Sequence, residues 1–129
     1  MSRSYHVEIA MFAANADQKW VDNLLSRFDV RGVDSSKQGL SRRISDVGIY
    51  HIALIRVLTA ELEVSTARAV ILAEQLLGLT HPVSVAEDIK LVFDRPSFER
   101  RIDARVAEAV ESIAPARRGR PPKRRAIDE

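Results

Sequence analysis

The sequence contains no cysteine, and its 129 residues include only five glycines and five prolines. A disulfide-bonded scaffold and a zinc site with thiolate ligands are therefore excluded, and the chain suits a reducing compartment. No apolar run approaches the roughly 20 residues that a membrane-spanning helix needs. No signal-type apolar segment follows the first four residues. We therefore expect a cytoplasmic protein that does not bind a membrane.

Residue combinations typical of enzymes are also missing. His6, His51 and His81 lie far apart and do not show the spacing of metal ligands. The sequence has neither a glycine-rich phosphate loop nor the elbow that carries a nucleophilic serine. We interpret acidic pairs such as Glu87-Asp88 as surface charges. We therefore expect no catalytic site, no metal site and no cofactor.

Charge is distributed unevenly along the chain, although the net charge is only +2. Residues 115–129 contain six Lys or Arg against two acidic residues, whereas the rest has 14 basic and 16 acidic residues. A slightly acidic folded part is thus joined to a strongly basic end. Such basic ends usually bind a polyanion, and a solubilising tail is the alternative. The nucleoid is the expected location for a polyanion-binding cytoplasmic protein of this kind.

Apolar periodicity predicts two helices at the start of the chain. Residues 6–14 form a short apolar segment that favours a helix, although alternation within it leaves a strand possible. A second helix is expected after a cap at Asn15 or Asp17 and up to about residue 28, with Trp20 and Leu24 in its apolar stripe. Turn-forming residues then predict two short strands, at about 31–33 and 40–44, joined by a polar tip.

The second half of the chain continues with two helices, a hairpin and a last helix. Ser45 and Ser65 are expected to cap helices that end near residue 63 and at Gly78. Residues 83–93 alternate in the manner of a β-hairpin that turns at 87–88. The last helix is predicted from Pro96 to about residue 112, and Pro115 is expected to end the folded region.

Two helices, a polar two-stranded excursion and a capped third helix follow one another in the order of a winged helix-turn-helix. The first half resembles the MerR-like DNA-binding domains over residues 5–78, and Gly39 to Asp46 is the most specific part. No metal- or drug-binding half follows, so the resemblance implies a DNA-binding fold without an inducer. The segments that carry it are YHVEIAMFAA, ADQKWVDNLLSRF, GLSRRISDVGIYHIALIRVLTAEL and VSTARAVILAEQLL.

The resemblance also implies roles for basic and amide side chains in this half. Those on the second helix would face the major groove or approach phosphates, and those of the wing would contact the backbone or the minor groove. The alternative is that all of them are solvated residues of an ordinary helical domain. The expected set is Gln18, Lys19 and Asn23 for the groove, Arg27 for phosphates, Lys37 at the wing tip, and Arg42 and Arg43 at its base.

The basic tail contains a second DNA-binding signal, which resembles an AT-hook. An Arg-Gly-Arg-Pro core can lie in the narrow minor groove of A·T-rich DNA, because glycine allows a close approach and proline keeps the chain extended. The flanking basic residues would hold phosphates, and we expect the segment to be disordered without DNA. Its residues are Arg117, Arg118, Gly119, Arg120, Pro121, Pro122, Lys123, Arg124 and Arg125.

Together these features predict a mainly α protein. We expect a winged helix-turn-helix domain at 5–78, a hairpin and helix at 83–113 that serve as a dimerisation element, and a disordered tail at 114–129. The alternative for 83–113 is that the helix folds back on its own domain. The expected activity is transcription regulation by a homodimer on duplex DNA with an A·T-rich preference. An architectural nucleoid-type protein and a protein-interaction adaptor with a non-specific basic tail are the alternatives.

Overall fold

The computed structural model describes residues 4–34, 42–78 and 82–118, and only the backbone of 113–118. This part of the chain is mainly helical, as predicted, with two small antiparallel sheets. None of its helices has the length and apolar character needed to cross a membrane. The elements are β1 (Ser4–Tyr5), α1 (Val7–Ala14), α2 (Gln18–Arg27), β2 (Val33–Asp34), β3 (Arg43–Ser45), α3 (Asp46–Ala60), α4 (Thr66–Gly78), β4 (Val83–Ala86), β5 (Ile89–Leu91) and α5 (Arg95–Arg118).

The boundary between α1 and α2 is formed by two polar residues with different tasks. Asn15 ends α1 in the left-handed conformation, with φ of 55°, and its N–H donates to the carbonyls of the preceding turn. Asp17 caps α2, because its carboxylate accepts a hydrogen bond of 2.8 Å from the backbone N–H of Trp20. The sequence allowed either Asn15 or Asp17 to cap the second helix, and in the structure the cap is Asp17.

The first sheet has the strand order β1-β3-β2 and includes a strand that the sequence did not predict. Tyr5 of β1 and Val33 of β2 lie on either side of Ile44, which is fully buried. The two predicted strands are displaced: residues 31 and 32 form a turn, and β2 begins at Val33. Residues 35–41, where the polar tip was predicted, lie outside the described residues.

The second sheet is the predicted hairpin, in which β4 pairs with β5 and Asp88 adopts a φ of 71° in the turn. Helix α5 then begins at Arg95 and continues to Arg118, past Pro115. The predicted end of the folded region at Pro115 is thus not the end of α5, whose backbone includes residues 114–118 of the predicted tail. The remainder of the predicted tail, from residue 119 onward, lies outside the described residues.

The apolar stripe of α5 is buried within the chain itself. Phe98, Ile102 and Ala109 are 4%, 0% and 0% exposed and belong to the same hydrophobic core as α1 and α3. Two polar contacts support this packing: Arg105 Nη1 donates to the Ala13 carbonyl at 3.0 Å, and Tyr50 donates to Asp103 across α3 and α5. Part of the apolar face of α5 thus packs on its own domain, as in the alternative for residues 83–113, while Val106 and Val110 are only partly buried and dimerisation stays a prediction.

Candidate nucleic-acid interface

Helix α2 has one buried face and one polar face. Val21, Leu24 and Leu25 are 0%, 3% and 6% exposed, so they hold the helix on the core. The four residues of α2 that the sequence selected for DNA are all exposed, and three of them follow at intervals of four residues along the helix. They are Gln18, Lys19, Asn23 and Arg27.

An aromatic residue ties α2 to the next helix. Trp20 is half-buried, and the guanidinium of Arg56 on α3 lies over its ring, 5.0 Å from the ring centroid. A cation above an indole face is attracted by the negative face of the quadrupole of the neutral ring. Arg27, at the other end of α2, lies 5.7 Å from the centroid of the Phe28 ring. The contact between Trp20 and Arg56 thus joins α2 to α3, whereas the contact between Arg27 and Phe28 is between neighbouring residues at the end of α2.

The two arginines at the start of β3 lie in different environments. Arg43 is exposed, opposite Asp34 in the strand register. Arg42 is partly buried, and its Nη1 lies 3.4 Å from Oδ1 of Asp22 on α2. The Nε of Arg42 is buried and has no hydrogen-bond partner within the described part of the chain. Arg43 is therefore available to a ligand, whereas Arg42 is held against the polar face of α2.

A close junction joins the strands to the start of α3. Ser45 caps α3, since its Oγ accepts from the Gly48 N–H at 3.3 Å, and the same hydroxyl donates to the Gly32 carbonyl at 3.0 Å. The Ser45 N–H donates to that carbonyl as well, at 2.9 Å. Gly32 and Gly48 approach so closely that a Cβ on Gly32 would lie 2.3 Å from the Gly48 nitrogen. This junction positions Arg43 relative to the helices.

Several residues of the predicted site fall where the structure gives no side-chain contacts. Arg117 and Arg118 belong to the last turn of α5 by their backbone. Lys37 and the tail residues that follow α5 lie outside the described residues. Those tail residues are Gly119, Arg120, Pro121, Pro122, Lys123, Arg124 and Arg125.

Sequence reasoning did not select Asp22, which lies on this surface, or His51, which is buried on α3. Asp22 lies on the exposed side of α2 and pairs with Arg42, 20 residues away, so no local pattern marks the contact. His51 is 3% exposed, and its Nδ1 lies 2.9 Å from the Val47 carbonyl. Burial lowers the pKa of His51, and the hydrogen bond with Val47 opposes that shift. The helical periodicity of α3 could have indicated this burial.

The rest of the described chain was searched for a metal site. It contains no group of three or more His, Cys, Asp or Glu side chains placed to hold a metal ion. Comparison with protein-family models, with curated proteins and with solved structures gives no match. The features that bear on function are therefore the surface of α2 and β3 and the sequence of the tail.

Proposed function

We propose that this chain binds duplex DNA as a transcription regulator. In this proposal α2 enters the major groove, Arg43 and the segment between β2 and β3 contact the backbone or the minor groove, and the tail binds an adjacent A·T-rich minor groove. The fold is then a winged helix-turn-helix in which the β2–β3 pair is the base of the wing. The homodimer expected from the sequence is part of the same proposal.

The observation that carries the proposal is the polar face of α2. Lys19, Asn23 and Arg27 form an exposed row on a helix whose opposite face is buried in the core. A helix in the major groove needs this combination, because short amide and basic side chains can reach base edges and phosphates while the buried face holds the helix. Gln18 is exposed in the first turn of α2, where recognition helices usually contact bases.

The contact between Arg42 and Asp22 supports the assignment of the strands to the same surface. It joins the start of β3 to α2 at 3.4 Å, so Arg43, the next residue, extends from an element that lies beside the polar face. The order of elements, β1-α1-α2-β2-β3-α3, agrees with the resemblance to MerR-like domains. That resemblance is the reason to prefer a sequence-specific regulator over an unspecific helical domain.

The decisive experiment is selection of bound sequences from a random duplex pool at near-physiological salt. It is followed by titration of the selected duplex at several salt concentrations. We expect a defined site for the full chain, and a loss of affinity of about tenfold or more for the double variant Lys19→Ala with Arg43→Ala. The slope of log affinity against log salt should fall by about one for each phosphate contact that is removed.

A matched control removes the same charge elsewhere. Lys90 and Arg100 are exposed on β5 and α5 and are not part of the proposed surface, so Lys90→Ala with Arg100→Ala should bind nearly as the parent does. If the two double variants bind the selected duplex equally well, the assignment of α2 and β3 is wrong. If neither the parent nor the control binds any duplex, the DNA-binding proposal itself is wrong.

An architectural nucleoid-type function is the second candidate, and the concentration of positive charge at the end of α5 and in the residues that follow it favours it. Removal of residues 119–129 leaves every described element in place and separates the two functions. A regulator keeps its selected sequence and binds it more weakly, because α2 still reads the site. An architectural protein loses nearly all of its binding, because the tail supplies it.

A further inference from the structure

An apolar groove of about 280 Å³ lies between the second half of α3, α4, β5 and the start of α5. Its wall is apolar except for Asp94, Ser97 and Arg101. Val92 and Leu62 belong to this wall and are nevertheless 83% and 55% exposed. Single exposed apolar side chains are normal on a protein surface, whereas a contiguous apolar patch with a polar rim marks an interaction surface.

Contacts within the chain hold the wall of the groove in place. The rings of Phe93 and Phe98 have centroids 5.3 Å apart and are tilted by 57°, an arrangement that aromatic pairs favour. Phe98 is also anchored in the core, since it is only 4% exposed. The guanidinium of Arg101 lies 5.5 Å from the centroid of the Phe98 ring. The groove is therefore preformed, and Arg101 has a defined position beside it.

Two opposite charges lie on the same side of α5 at this groove. Asp94 comes directly before α5, and its Oδ1 accepts a hydrogen bond of 3.2 Å from the Ser97 N–H. Arg101 follows two helical turns later, which is about 10 Å along the axis at 1.5 Å per residue. A rotation by 180° about an axis midway between the two would bring each charge onto the opposite one. The patch is therefore self-complementary, as the contact surface of a symmetric dimer must be.

We propose that the groove binds a second copy of this chain around a twofold axis that passes near Phe98. The first two turns of α5 would run antiparallel in the two copies, with Asp94 of each beside Arg101 of the other. Val92 of each copy would lie in the apolar groove of the other. An unrelated partner would not require both charges in one patch, so a second copy is the occupant that the surface fits best. This inference rests on the proposed function only for the need of two copies, and it adds the surface that joins them.

Sedimentation velocity of the full chain without DNA, over a range of concentrations, measures the association. We expect an equilibrium between monomer and dimer. Val92→Asp should weaken it about tenfold or more, because it places a charge in an apolar contact. Ile71→Asp is the matched control, since Ile71 is 60% exposed on α4 and is not part of the groove. Its dissociation constant should stay within about twofold of that of the parent.

Two charge variants test the twofold geometry. Arg101→Glu and Asp94→Lys each place like charges opposite one another in a symmetric dimer, so each alone should self-associate about tenfold more weakly. An equimolar mixture of the two restores both contacts between opposite charges and should form a heterodimer. Thermal melts at a concentration where the parent is monomeric verify folding, which matters for Asp94 because it caps α5. If Asp94→Lys does not fold, the comparison of Val92→Asp with Ile71→Asp decides.

The proposal is overturned if the parent is a monomer at every concentration or if Val92→Asp and Ile71→Asp associate equally. It is also overturned if the two charge variants are folded and do not associate when mixed. Titration of the selected duplex separates these outcomes from a failure of the proposed function. A chain that binds the duplex and stays a monomer refutes the dimer alone, whereas a chain that dimerises and binds no duplex refutes the DNA-binding function alone.

Discussion

Replacement of Gly32 with alanine tests the junction that joins the strands to α3. Gly32 has a φ of +88°, and an added Cβ would lie 2.3 Å from the nitrogen and 2.7 Å from the Cα of Gly48. The left-handed backbone alone costs an L-residue about 1–2 kcal/mol. The clash can be relieved only if the backbone at Gly32 moves away from the backbone at Gly48. This separation breaks the two hydrogen bonds that Ser45 makes with the Gly32 carbonyl, at about 1 kcal/mol each.

The expected loss is thus about 3–4 kcal/mol in the free energy of unfolding, measured by urea denaturation followed by circular dichroism. Gly48→Ala should also be strongly destabilising, since its Cβ would lie 2.7 Å from the Gly32 oxygen. Gly78→Ala is the matched control, because no atom lies within 4 Å of the added Cβ. It should differ from the parent by about 1 kcal/mol or less. A Gly32→Ala protein within about 0.5 kcal/mol of the parent would refute this reasoning.

Three further predictions concern single side chains. Asp22→Asn frees Arg42 for DNA, so under the proposed function the affinity should rise several-fold and the salt slope steepen by about 0.9; unchanged binding in a titration would contradict this. Ile102→Ala should cost about 2–5 kcal/mol in urea denaturation, because Ile102 is fully buried, whereas Val92→Ala, at an 83% exposed position, should cost little. Burial lowers the pKa of His51 below 6.5, so the folded chain loses stability as the pH falls below 6.5 toward that lowered pKa; unfolding curves should show a smaller loss for His51→Gln over that interval.

The elements that could be predicted are those whose signals are local. The apolar stripe of α2 and the cap at Ser45 are properties of consecutive residues, and both appear in the structure. Strand β1 was not predicted, because two residues are too few for an alternating pattern and the residues that it pairs with, Ile44 and Ser45, are distant in the sequence. The stripe of α5 correctly indicated a buried face, but periodicity does not tell whether the covering surface belongs to the same chain.

In the candidate site, too, only the features with a local signal in the sequence could be predicted. The exposure of Lys19 and Arg27 follows from their positions on the polar side of a helical wheel, so sequence reasoning placed them correctly on the surface. The pairing of Arg42 with Asp22, and the groove beside Val92, arise only when separate elements pack together. The residue types alone were enough to choose the basic side chains as candidates. Only the three-dimensional packing shows that Arg43 is exposed to a ligand, whereas Arg42 is paired with Asp22.

The position of α5 constrains how the tail and the domain can act on one duplex. A cavity of about 370 Å³ has both Tyr5 and Glu111 in its wall, so the last part of α5 passes beside β1, which pairs with β3. The helix continues from Glu111 to Arg118 over about 10 Å at 1.5 Å per residue. The AT-hook-like segment begins within this last turn, with no linker between it and the helix. Under the proposed function an A·T-rich tract should therefore lie at a constant distance from the site read by α2, whereas a tail that binds independently would leave that distance variable.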